Sequence, residues 1–309
     1  VVGSVLGTVR VTGLPPAKGQ ELDLAAVTHQ AGALVQHIGA YAVSHCRVAW
    51  NVRLLYRDAD CPTMYYGEVG IIVADHDASG LGRPRVIKLP EASDMLGSEW
   101  APRSLALTPD SRRCLVRNKY RVLIVDLEQA ALEARLETGW KVVHSLAWSH
   151  SIDLVALGLS GEVALFRLSD GEFLGWRSTP PGDVTCVCVG GGYLAEVTEN
   201  DVLQVVRVDA RRPPVDWPLV RRESLSCHRV LKETEASLSD AAPLLAVRQR
   251  RKQVLVLDLR SGSTQLLRRH TDRVELVRFI QGGRVLVTAD ADNRVMFWPL
   301  SGGRLVTGS

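Results

Sequence analysis

The chain contains no run of about 18 apolar residues, so a helical membrane span is excluded. It has no CxxC pair. Its six cysteines are Cys46, Cys61, Cys114, Cys186, Cys188 and Cys227, and the histidines are scattered rather than grouped, so a zinc module is not expected. Neither sign of charge dominates. The net charge is only +3 over 309 residues, and any basic surface must therefore be local. A G-x-S-x-G elbow is missing, and its nearest approach, Gly158-Leu159-Ser160-Gly161, reads as a hairpin turn. P-loop, dinucleotide fingerprint and His-Glu-x-x-His are absent too. These absences remove the common hydrolase, nucleotide-binding and metalloprotease classes. Cys186 and Cys188 lie in an apolar strand with both side chains on one face, as reduced core thiols of a cytoplasmic protein would.

What is present is a dense succession of short strands. Hydrophobic residues make up 46% of the chain, and turn signals recur about every eight to twelve residues. Four strands make a unit of roughly 35 to 45 residues, a repeat that points to an all-β propeller. The units fall at 103–137, 142–176, 183–220, 226–269 and 270–306. Residues 32–90 are read as one further blade and 1–28 as the outer strands of an incomplete one. Seven blades are preferred, with six or eight as alternatives. Gln129 to Glu137 has helical propensity, yet its place after a third strand argues for an outer strand. Ala59–Gly67 and Glu91–Pro102 read as insertions. The chain begins at Val1 without Met or a basic leader, and is expected to be one domain of a larger protein.

The last unit carries the most specific pattern. His270, Thr288, Asp292 and Trp298 stand in the order and spacing of one repeat, with strands at Val274–Phe279, Arg284–Asp290 and Val295–Trp298. On these residues the chain resembles the WD-repeat propellers. The resemblance implies a buried structural relay in which carboxylate, imidazole, hydroxyl and indole N–H satisfy one another and fix strand register. Pro299 stands where the family has Asp, and Gly-His is missing throughout. The resemblance also implies a non-enzymatic protein-interaction scaffold or sensor.

His270, Asp292 and Thr288 could mimic a hydrolase triad, but threonine is a poor nucleophile there and the group is expected to be buried. The loop carboxylates Asp75, Asp77, Asp94, Asp110, Asp170 and Asp201 form no catalytic pair. Asp75, His76 and Asp77 are too few for a metal site. No catalytic residue, metal or cofactor is expected.

Basic residues recur at turns between second and third strands and at loops between blades, which emerge on one face. Arg117, Lys119 and Arg121 flank one such turn; Arg248, Arg250, Arg251 and Lys252 flank another; Arg294 lies in the last. Arg221, Arg222, Arg268, Arg269 and Arg273 are placed in inter-blade loops. Such a rim suits an acidic or phosphorylated protein segment. The alternative is a phosphate- or nucleic-acid-binding module. No aromatic platforms interleave with these arginines, which disfavours nucleic acid. A membrane partner is not expected.

Overall fold

The computed structural model describes residues 2–3, 8–11, 20–23, 34–43, 46–57, 65–77, 80–89, 104–108, 110–225, 236–280, 283–292, 294–301 and 304–305. At 2–43, 50–57, 65–69, 76–81, 104, 250, 301 and 304–305 it describes the backbone alone. The chain divides into two compact units, Val1–Gly139 and Trp140–Ser309. Among the described residues every regular element is a strand, apart from a single 3-10 turn at Pro214–Asp216. No described helix is long and apolar enough to cross a membrane.

The first unit holds three antiparallel sheets. Strands β1 (Val2–Gly3), β2 (Thr8–Val11) and β3 (Gln20–Asp23) pair in order. Next come β4 (Leu34–Val43), β5 (Arg47–Arg57) and β6 (Tyr65–Asp77), with β7 (Gly80–Leu81) and β8 (Arg85–Leu89) both paired to β6. Tyr65 to Gly67, expected within an insertion, are strand residues opposite Leu55 to Arg57. The remainder of that segment, 59–64, and the other expected insertion, 91–102, lie outside the described residues. So does most of 1–28.

The third sheet is a four-stranded meander of β9 (Ser104–Leu107), β10 (Arg113–Arg117), β11 (Arg121–Asp126) and β12 (Ala131–Glu137). β12 is the segment of helical propensity. Its outward residues alternate with Leu132, Ala134 and Leu136, and pairing to β11 overrides local preference. Alternation in β5 to β11 sends Ala49, Ile71, Val73, Ile87, Leu105, Leu107, Cys114, Val116, Leu123 and Val125 into one core.

The second unit begins with a seven-stranded sheet. β13 (Ser145–Ser149), β14 (Leu154–Gly158) and β15 (Ser160–Arg167) lead into β16 (Phe173–Gly190), which continues into β17 (Tyr193–Thr198), β18 (Val202–Arg207) and β19 (Leu219–Ser224). β16 serves two four-stranded meanders at once. Its residues 173–178 pair with β15, and 184–190 pair with β17. Two further meanders follow. One is β20 (Ala236–Leu238), β21 (Leu244–Arg250), β22 (Gln253–Asp258) and β23 (Thr264–Leu267). The other is β24 (Val274–Ile280), β25 (Val285–Asp290), β26 (Val295–Ser301) and β27 (Arg304–Leu305).

Apolar side chains pack face to face between successive meanders. Cys186, Cys188, Val197 and Val205 meet Leu245, Val247 and Leu257. Leu244, Ala246 and Val256 meet Val277, Leu286 and Trp298. The described cysteines, Cys46, Cys114, Cys186 and Cys188, are free thiols, and burial pushes the Cys114 thiol upward.

Candidate functional site: a buried relay beneath a basic loop face

The relay of the last meander is built on strand alternation. Leu286, Thr288 and Asp290 are spaced by two along β25 and share one face. Trp298 Nε1 donates to Thr288 Oγ1 at 2.9 Å. His270 Nε2 lies 2.7 Å from the same hydroxyl, and His270 Nδ1 lies 3.1 Å from Asp290 Oδ2. The carboxylate is therefore Asp290 and not Asp292. Strand β25 ends at Asp290, so Asp292 falls in the following turn, exposed, where it accepts a bond from Thr271 Oγ1 at 3.1 Å.

Burial pushes the Asp290 carboxyl up, but bonds from the Arg294 and Thr271 N–H groups and from His270 outweigh it. The group stays below the usual carboxylate range. Thr288 Oγ1 thus accepts from the indole N–H and meets one imidazole nitrogen, while the Asp290 carboxylate meets the other, so every polar side chain of the relay has a partner. Thr288 is fully buried and its oxygen is shared by His270 and Trp298, so a substrate carbonyl has no approach to it. The geometry is that of a register lock.

Above this lock, three loops are stitched together. The loop 268–273, which joins two meanders, lies between the second-to-third turns of both. Val274 N–H donates to Arg251 O at 2.7 Å, and Ala291 N–H donates to Arg273 O at 2.8 Å. Lys252 Nζ donates to Thr271 O, and Arg251 stands 3.3 Å from Asp272. Arg251, Lys252, Arg268, Arg269, Arg273 and Arg294 are exposed on this face. Asp272, Glu275 and Asp292 stand beside them among the described residues, and the guanidinium of Arg269 lies 5.9 Å from the Trp298 ring centroid. At the equivalent turns of the meander that β16 opens stand Asp183, Glu199 and Asp201. These turns carry carboxylates where the last two meanders carry cations.

Other residues expected on the rim lie elsewhere. Arg248 is buried and donates from Nη1 to Val274 O at 2.7 Å, because its position in β21 faces the next meander. Arg221 and Arg222 are not in a connecting loop. β19 runs to Ser224 opposite Val202, placing both in the outer strand, where Arg221 pairs with Glu223 and Arg222 bonds Gln204. The Arg250 side chain lies outside the described residues. In the first unit Arg117 is half-buried, Lys119 lies over the Tyr120 ring at 5.0 Å, and Arg121 stands 3.5 Å from Glu137. Asp75 pairs with Arg47 at 2.6 Å, and no group of metal-binding side chains occurs among the described residues.

No family model and no curated protein matches the chain. Among solved structures it is similar to the β-propeller domain of Cps50 (Swd1) from Myceliophteria thermophila. The identity is 11% and the TM-score 0.57, over 87% of this chain and 100% of that one. It is also similar to a chain of the Mitotic Checkpoint Complex, at 15% identity and a TM-score of 0.54, over 85% of this chain and 87% of that one. The fold is a β-propeller.

Each four-stranded meander is thus a blade, and the blades carry a repeat that sequence reading missed. Where the third strand turns into the fourth, an aspartate caps the turn through its own side chain. Asp126 accepts from Glu128 and Gln129 N–H, Asp170 from Glu172, Asp209 from Arg211, and Asp258 from Arg260 and Ser261. These Asx turns are local bonds that any Asp two residues before a free N–H can make. Their recurrence after four of the apolar third strands is the signal that could have found them. In the last blade Pro299 and Leu300 occupy this region within β26.

Proposed function

We propose that this propeller is a non-enzymatic interaction scaffold whose last two blades hold an acidic or phosphorylated protein segment on their shared loop face. The observation that carries this is the stitched set of loops at 251–252, 268–273 and 291–292 with Arg294 beside it, which among the described residues exposes six cations beside three carboxylates. Low-dielectric walls focus the summed field of such a rim, and arginine offers carboxylate and phosphate a bidentate fork. The loops rest on the His270–Thr288–Trp298 relay, so the charges sit on a fixed support.

The probe is a fluorescent peptide rich in Glu and phosphoserine, titrated at low and physiological salt. Replacing Arg268 and Arg294 with Glu should weaken binding roughly tenfold, because each exposed pair contributes only about 0.2–1 kcal/mol and reversal adds repulsion. The wild-type affinity should fall as salt screens the rim. Equal affinities for both proteins at both salts would remove the rim from binding. A single-stranded oligonucleotide that binds more tightly than the peptide would favour the nucleic-acid alternative.

A further inference from the structure

The seam between the two blades that share β16 holds buried charge. Arg177, on the first half of β16, is 7% exposed, and Glu196, on β17, is 1% exposed. Arg177 reaches across the seam. Its Nη1 donates to Pro214 O at 3.0 Å, while its Nε stands 3.8 Å from Glu196 Oε1. Glu196 Oε1 accepts from Gln204 Nε2 at 2.6 Å, and Gln204 Oε1 accepts from Arg222 Nε at 2.9 Å. Glu196 Oε2 and Arg177 Nε are buried with no hydrogen-bond partner among the described residues. Arg177 thus stands between two acceptors, bonded to one and just beyond reach of the other.

We propose that Arg177 and Glu196 form a proton-operated latch on the loop 208–218. With Glu196 neutral, Arg177 pins the loop at Pro214. When Glu196 ionises, the arginine is drawn toward the new charge and the loop slackens. The freed segment carries the exposed residues Arg211, Arg212 and Val215, so the latch would control what that edge of the propeller presents.

The charged groups facing Glu196 are Arg177 from β16 and, through the neutral Gln204 of β18, Arg222 from β19. Burial raises the Glu196 carboxyl, and Arg177, Gln204 and Arg222 pull it part of the way back, leaving it at about 7. The folded value lies above the ordinary one, so the folded chain holds this proton more firmly than the unfolded chain. The resulting stability is complete below the usual carboxylate range and is lost as pH rises through about 7.

Hydrogen exchange on the whole chain at about pH 6 and about pH 8.5, corrected for intrinsic rates, tests this. Amides of the loop, Asp216 and Trp217 among them, and of β17 should lose protection roughly tenfold at the higher pH, while those of β21 and β22 keep theirs. Glu196→Gln should remove the difference. Equal corrected protection at both pH values in the wild-type chain would overturn the latch, with no need for the variant to fold. A Glu196→Gln chain that still loosens with pH would overturn it too.

Discussion

Trp298→Ala should lower the unfolding free energy by about 3–5 kcal/mol, the range expected when a large buried aromatic is truncated. Two losses combine. The indole packs with Leu244, Val256, Val277 and Leu286 between the last two blades, so its removal opens a cavity there. Its N–H also satisfies Thr288, whose other partner is His270, so the relay loses its terminal donor. Thr288→Val keeps the volume and removes only the hydroxyl, and should cost about 1–3 kcal/mol by orphaning two buried nitrogens. Denaturant midpoints of the three proteins separate the packing loss from the polar one. A Trp298→Ala midpoint equal to wild type would mean that the last blade is not packed as described.

The second large effect is expected at Gly283→Ala. This residue turns the chain between β24 and β25 at φ +88, donating to Ile280 O at 3.0 Å and accepting from Ser239 Oγ at 2.9 Å. A Cβ there would stand 2.4 Å from Ser239 Oγ and 2.7 Å from the backbone nitrogens of Asp240 and Ala241. The left-handed conformation costs an L-residue about 1–2 kcal/mol, and the collision with fixed backbone adds about 1–3 kcal/mol. The substitution should therefore cost about 2–5 kcal/mol. Gly161→Ala is the control. It has φ +75 but meets nothing within 4 Å, so only the backbone part should appear. Equal midpoints for the two variants would show that the contact between the turn at Gly283 and the turn at Ser239 does not matter.

Strand alternation and turn residues made the blades legible, because each apolar strand ends in a local signal that needs no distant partner. The expected strands Val274–Phe279 and Arg284–Asp290 lie within one residue of β24 and β25, and the β12 segment could be recognised as a strand against its propensity. Long-range features were harder. Asp292 looked like the relay carboxylate by spacing alone, while Asp290 owes its role to where β25 stops and which face it shares with Thr288. Arg248 read as a rim residue because arginine is normally exposed. Its bond to Val274 O depends on the neighbouring blade, which no local window contains. The length of β19, which turns Arg221 and Arg222 into strand residues, is likewise set by its pairing with β18.

The uninterrupted β16 has a consequence for how the molecule comes apart. Elsewhere in this unit consecutive blades are separate sheets, but the first two share a single 18-residue strand. Pull its first half out of register and the second half is dragged with it, because the same backbone supplies hydrogen bonds to β15 and to β17. In a linear array of repeats, the coupling between neighbours decides how many of them melt together. Here one continuous strand belongs to both sheets, so these two blades should behave as one foldon. A load applied at either end of the strand would be shared by both sheets before either yields.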